Sequence, residues 1–196
     1  MHLALFDFDR TITRCDTYSR FLRRVATPAR LASARWTAGP WLLGYRLGLV
    51  SAAGIRARAT RIALQGRDAA ELAMRAREYA DAELPGLLRP EMMARIDWHR
   101  AEGHRIVVVS GSIDLYLEPW CERHGLELVC NTLEVRDGLL TGRYLDGDIG
   151  PCKAREITRR IALVSHPRVH AYGDSREDRG MLDLAHERWY AGKRIA

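Results

Sequence analysis

Asp7 and Asp9 stand one residue apart at the end of the apolar run Leu3-Ala-Leu-Phe6. On a strand, residues i and i+2 point to the same face, so the two carboxylates converge where the strand stops. Paired carboxylates raise each other's pKa unless a cation stands between them. For oxygen donors of this kind the natural third party is a hard divalent ion. Thr11 completes a D-x-D-x-T pattern, which in a chain of this composition is expected by chance far less than once.

Three further clusters point to the same kind of chemistry. Ser110-Gly111-Ser112 follows the β-branched run Arg105-Ile-Val-Val-Val and precedes a helical pattern. A hydroxyl and main-chain N–H groups at a helix start make an anion site, although the same residues also suit an ordinary turn with Ser112 as N-cap. Lys153, in Gly150-Pro-Cys-Lys153, falls in the first turn of a helix, where a cation opposes the macrodipole unless an anion is near. It is one of only two lysines among 31 basic residues, and an ammonium is chemically distinct from a guanidinium fork. A solvated lysine at a helix start is the competing reading. Finally, Asp174 and Asp178 in Gly173-Asp-Ser-Arg-Glu-Asp178 lie one helical turn apart behind an apolar run. Both can turn toward the first pair, and Asp174 could equally cap a helix. Taken together, in this order and each at a strand end, the four clusters form one site at the edge where open α/β sheets bind their ligands.

The elements that must deliver these residues are legible from periodicity. His2 to Phe6 reads as a buried strand, and Arg105 to Ser110 as a strand covered on both faces. Between them, from about Cys15 to Glu102, the pattern is helical. Ile55, Ala59, Ile62 and Ala63 fall on one face, as do Leu72, Ala76, Tyr79, Ala80 and Leu84. Pro90 fits the first turn of a helix that stops at Gly103. Pro119 should kink or divide the helix after Ser112. Leu126 to Cys130 is a short strand, and Asp137-Gly138 turns a hairpin. A helix over 151–162, a strand over 168–172, a helix over 177–186 and a short strand at Trp189-Tyr190 complete the chain. This alternation predicts an α/β fold: a Rossmann-like core with a mainly parallel sheet, comprising residues 1–14 and 103–196, plus an inserted all-helical cap over 15–102.

Composition narrows the function classes. The chain has 196 residues, 47% of them hydrophobic and 29% charged, which suits one globular domain with a modest insertion and argues against disorder. Cys15, Cys121, Cys130 and Cys152 form no C-x-x-C pair, and no signal peptide is seen, which points to a reduced, cytoplasmic chain. The weakly charged stretch 36–55 contains Arg46 and several small residues and is a poor membrane span. The net charge of +6 favours acidic partners such as phosphates, nucleic acid or anionic headgroups without choosing among them. The arginines are spread without the aromatic interleaving of a nucleic-acid binder, so no nucleic-acid partner is expected. The seven histidines show no metal-ligand spacing and are assigned no role.

The four clusters and the long helical insertion resemble the haloacid dehalogenase superfamily, over nearly the whole chain. Within it the pattern is similar to the phosphoserine-phosphatase-like group. Ser110 to Trp120, Leu139 to Arg143 and Gly150 to Lys153 are similar to phosphatases of the phosphatidylglycerophosphatase C type. The resemblance implies Asp7 as a nucleophile forming an aspartyl-phosphate, and Asp9 as the acid for the leaving oxygen and then the base for water. It implies Mg²⁺ held by Asp7, the Asp9 main-chain carbonyl and Asp174, with Thr11 and Asp178 in support. Ser110, Gly111 and Lys153 would bind the phosphoryl group. An aspartate acid at position 9 separates a phosphatase from a dehalogenase, which delivers no proton to a halide. Arg10 departs from the family, where a small residue is common.

Substrate choice belongs to the helical segment. Asp16 stands nine residues after Asp7, where phosphoserine phosphatases carry a Glu for the substrate amine, which makes it a candidate specificity residue. The stretch 35–50, with Trp36, Trp41 and Tyr45 among arginines and leucines, has a composition suited to a membrane interface; an apolar face packed within the cap is the competing reading. The expected substrate is therefore a phosphomonoester, either a lipid phosphate such as phosphatidylglycerophosphate or a small soluble compound such as phosphoserine, with peripheral membrane contact tied to the first case. A phosphotransferase would reuse the same intermediate with a second hydroxyl as acceptor. A non-catalytic phosphate-binding module would be expected to lack one of Asp7, Asp9, Lys153 or Asp174. Oligomeric state is not legible.

Overall fold

The computed structural model describes residues 1–34, 41, 44 and 47–195. Its centre is a six-stranded sheet of order β3-β2-β1-β6-β7-β8. The strands are β1 (Leu3–Phe6), β2 (Arg105–Ile113), β3 (Glu127–Asn131), β6 (Val169–Gly173), β7 (Glu187–Tyr190) and β8 (Lys193–Ile195). All neighbours are parallel except β7 and β8. A separate antiparallel hairpin joins β4 (Leu133–Arg136) to β5 (Leu139–Tyr144). Its turn residues Asp137 and Gly138 have φ of 50° and 75°, the signature of the tight turn foreseen there.

The sheet is buried on both faces, which explains why its strands read as continuous apolar runs. Ala4, Phe6, Ile106 and Val108 face one core cluster, and Leu3, Leu5, Val107 and Val109 face the other. The first cluster receives the helical segment: α1 (Thr17–Val25), a helical stretch at 28–34, α2 (Ala52–Leu64), α3 (Ala69–Ala82) and α4 (Pro90–Ala101). Leu72, Ala76, Tyr79, Ala80 and Leu84 are fully buried, as their spacing requires, whereas Ile55, Ala59 and Ile62 are only half-buried. On the same side, α4 lies against the sheet, where the His99 ring packs edge-on to Phe6. The remaining helices are α5 (Asp114–His124), α6 (Lys153–Arg160) and α7 (Arg179–Asp183).

The structure corrects three local expectations. Pro119 does not divide α5, which runs unbroken from Asp114 to His124. Ser112 caps no helix: β2 continues through Ile113, and the Ser112 hydroxyl is drawn to a carboxylate instead. The last helix is shorter than its pattern, with a 3-10 turn over Arg176–Asp178 before α7. The stretch 35–50 lies largely outside the described residues. All four cysteines are thiols. Among the described residues no helix is long and apolar enough to cross a membrane.

Candidate active site

The parallel strands bring the four clusters to one edge, at the C-terminal ends of β1, β2 and β6 and the start of α6. Asp7 directly follows β1 and is almost wholly buried, its N–H bonded to the Tyr172 carbonyl (2.9 Å) on β6. Lys153 is buried too, with Nζ 2.5 Å from Asp7 Oδ1 and 2.6 Å from Asp178 Oδ1. The partnership settles the competing readings of Lys153: it is an internal cation between two carboxylates, not a solvated helix start. Burial pulls the ammonium down, but Asp7 and Asp178 more than offset this and hold it charged. Burial pushes the Asp7 carboxyl up to about 8, with Lys153 pulling it back and Asp178 pushing it further.

Asp178 is fixed by a local cage. Burial opposes its charge, yet Lys153 and Ser175 hold its carboxyl below the usual range. Its Oδ2 accepts the Asp174 N–H (3.1 Å), the Ser175 N–H (2.8 Å) and the Ser175 hydroxyl (2.7 Å). Gly173 makes this approach possible, because a Cβ there would sit 2.5 Å from Asp178 Cβ. Asp174 is half-exposed, with its carboxyl raised by burial and then by Asp178, and Thr11 Oγ1 stands 3.5 Å from its Oδ1.

Asp9 is oriented by the first helix of the cap-like segment. Its Oδ1 accepts both the N–H (2.6 Å) and the hydroxyl (2.5 Å) of Thr17, and its Oδ2 meets the Ser112 hydroxyl. Burial raises its carboxyl above the ordinary range, against the hydrogen bonds from Ser112 and Thr17. Between the two aspartates and Thr13 the chain makes one irregular turn, in which Arg10 has φ of 62° and an exposed side chain. That left-handed backbone is the physical reason a small residue suits this position.

Ser110 and Gly111 lie near the end of β2. Ser110 Oγ accepts the Ser112 N–H (3.1 Å), which leaves its proton to donate. Asn131, fully buried, donates to the Gly111 carbonyl (2.7 Å) and accepts the Ile149 N–H (2.7 Å), so it sets the Gly111 loop against the Gly150 loop. Over this junction lies Arg56 of α2, 2.8 Å from both Asp148 and Glu177. A side chain at Gly150 would run into its guanidinium. Asn131, Thr17 and Arg56 escaped the sequence reading. No signal singles out one arginine in so arginine-rich a chain, or one Asn ending a strand.

Asp16 is brought near, but it acts as the N-cap of α1. Its two oxygens accept the Ser19 N–H (2.9 Å) and the Ser19 hydroxyl (2.7 Å). A divalent cation fits the carboxylates that remain: Asp7, Asp174 and Asp178 each place an oxygen within 4.8 Å of the others. Three carboxylates against one ammonium leave negative charge in a dehydrated site, a donor set suited to a hard ion. Asp178 has both oxygens already engaged, which matches a supporting position.

A doubly covered parallel sheet with acidic, hydroxyl and lysine groups gathered at one edge defines a Rossmann-like α/β hydrolase core. The chain belongs to the haloacid dehalogenase-like hydrolase family, whose model matches residues 4–183. It is 35% identical to Protein CicA of Caulobacter vibrioides over 198 residues, covering 96% of this chain and 85% of that one. Among solved structures it is similar to a protein of unknown function from Bordetella pertussis Tohama I, with TM-score 0.81, 23% identity and coverage of 95% and 88% of the two chains. A substrate-bound phosphoserine phosphatase shares the fold at TM-score 0.67 and 20% identity, covering 96% of this chain and 85% of that one.

Proposed function

We propose that this hydrolase is a Mg²⁺-dependent phosphomonoester phosphatase that works through an aspartyl-phosphate on Asp7, with residues 15–102 serving as its cap. The observation that carries this reading is the pairing of Asp7 with the buried Lys153 ammonium, beside an Asp9 held separately by Thr17 and Ser112. One carboxylate stands against a buried cation, and the other is held apart from it by hydroxyl and main-chain donors.

Asp7 Oδ attacks phosphorus, and the bond from phosphorus to the leaving oxygen breaks. Asp9, acting as the acid, delivers a proton to that oxygen, then accepts a proton from the water that attacks the phosphoaspartate, which releases phosphate and restores Asp7. Lys153 has three N–H donors, two already on carboxylates, so the third is available to a phosphoryl oxygen. The Ser110 hydroxyl and the Gly111 N–H supply the other donors. A Mg²⁺ held by Asp7, Asp174 and the Asp9 main-chain carbonyl would supply the positive charge that lets a carboxylate approach an anionic phosphate.

For the substrate we infer a lipid phosphomonoester met at a membrane surface. Trp41, Leu47 and Leu49 are exposed, the two leucines at 65% and 80%, in the segment whose composition suits an interface. The test is phosphate release with Mg²⁺ from phosphatidylglycerophosphate in detergent, phosphoserine, sugar phosphates and nucleotides. Turnover should vanish with EDTA and in Asp7→Asn, and acid-quenched enzyme should carry a hydroxylamine-labile phosphate. Wild-type turnover in Asp7→Asn would overturn the mechanism. Preference for phosphoserine would overturn the lipid assignment alone and turn attention back to Asp16.

A further inference from the structure

We propose that His2, His104 and His170 form a binding site for a divalent transition metal of zinc type, at the end of the sheet opposite the catalytic edge. The strand register assembles it. Leu3 pairs with Arg105 on one side, and Ala4 pairs with His170 on the other. Alternation therefore puts His2, His104 and His170 on one sheet face around the small Ala4 side chain. Residues far apart in the chain become neighbours, which is why their spacing carried no metal signature. The four residues of β1 separate His2 from Asp7, five steps of about 3.3 Å each, or about 16 Å.

Each imidazole offers one nitrogen, and the three nitrogens lie within 4.8 Å of one another. The second observation is His170 itself. It is 4% exposed, and both of its ring nitrogens are buried without a hydrogen-bond partner among the described residues. Buried polar atoms are normally paired, so a side chain with two orphaned nitrogens at the floor of a histidine cluster calls for a ligand. A zinc ion about 2.0–2.1 Å from three nitrogens needs them roughly 3.4 Å apart in tetrahedral geometry. His2 and His104 are half-buried and can close that gap by side-chain rotation.

The surroundings resemble an outer shell. His104 Nδ1 is 2.8 Å from His99 Nδ1, and His99 Nε2 is 2.9 Å from the Tyr172 hydroxyl. With His99 protonated on Nε2, His104 donates from Nδ1 and keeps its Nε2 lone pair for a metal, the arrangement typical of ligating histidines. Glu187 Oε2 lies 3.9 Å from His170 Nδ1. Burial pulls His99, His104 and His170 below the ordinary histidine range, which favours the neutral imidazoles that ligation requires. His104 also borders an open cavity of about 520 Å³ with Met1 and Arg105. Three nitrogens suit zinc, nickel or copper rather than the hard ion expected at the carboxylates.

The test is equilibrium dialysis of the full chain against Zn²⁺ in excess Mg²⁺, with metal analysis, and thermal melting with and without Zn²⁺. The wild type should retain one Zn²⁺ per chain and melt higher with it. His2→Ala and His104→Ala should each weaken Zn²⁺ binding at least tenfold and lose the zinc-dependent rise, while metal-free melting confirms the fold. Absence of retained Zn²⁺ in the wild type would overturn the site. So would Zn²⁺ retained equally by both variants, which would place the ion on the carboxylates.

Discussion

Asp9 Oδ1 accepts the N–H of Thr17 at 2.6 Å, so the first residue of α1 orients a carboxylate of the candidate site. The Thr17 hydroxyl adds a second bond at 2.5 Å and also meets the Tyr116 hydroxyl at 3.1 Å. Thr17→Val keeps the shape and the main-chain bond but removes the hydroxyl. We expect kcat to fall about tenfold, the size of one lost hydrogen bond to a charged group, with KM little changed. Steady-state kinetics checks this, and an unchanged kcat would show that the main-chain bond alone orients Asp9.

Lys153 neutralises two buried carboxylates at once. Removing one member of a buried pair costs about 3–5 kcal/mol, because the partners stay dehydrated and unpaired. Lys153→Met should therefore lose stability on that scale in urea unfolding and also lose turnover. Lys153→Arg should not rescue it, since a planar fork cannot replace a compact ammonium here.

Arg56 and Gly150 should behave as one unit. Gly150→Ala forces the guanidinium off Asp148 and Glu177, and Arg56→Ala removes the obstacle. Each change alone should cost about 1–3 kcal/mol. The double variant should cost clearly less than the sum, the mark of coupled neighbours. Strict additivity in a double-mutant cycle would refute the contact.

Asp114 gives a pH signature of its own at the start of α5. Burial raises its carboxyl to about 6 from an ordinary 3.8, against bonds from the Leu133 and Leu115 N–H groups. The folded chain thus binds its proton more tightly than the unfolded one. Its contribution is fully present below pH 3.8 and is lost as pH rises through about 6. Asp114→Asn should gain on the wild type between those values, by about 1–2 kcal/mol after solvent screening. Melting curves across that range check it, and a gap that narrows with rising pH would be the wrong sign.

The gathering of these residues at one edge of the sheet was legible because they cluster within a few positions of each strand end. Asp7 and Asp9 share one strand end, and Asp174 and Asp178 share one loop, so local spacing already states their geometry. Helix α3 was equally legible, since Leu72, Ala76, Tyr79 and Ala80 repeat with helical period and are buried. What escaped depends on register between distant strands or on choice among equivalent residues. Asn131 joins two loops through one side chain, Arg56 is one arginine of many, and His2, His104 and His170 meet only because Leu3 pairs with Arg105 and Val169. Strand β8, an antiparallel edge after Gly192, carries too few residues for a period to show. Ser112 was misread as a cap because local propensity knows nothing of a carboxylate 103 positions earlier.

The central place of β1 between β2 and β6 has a consequence for how the chain acquires its fold. Leu3–Phe6 is synthesised before both of its partners, residues 105–108 and 169–172. The ribosome therefore releases an apolar strand with no neighbour until β2 has been made, while α1 and α3 can form at once from local contacts. Such long-range pairing is slow, because loop closure precedes any return from contact. Folding of the sheet accordingly waits for β2 and β6, and truncations ending before β6 should aggregate through the exposed edge of β1 rather than accumulate as a soluble half-domain.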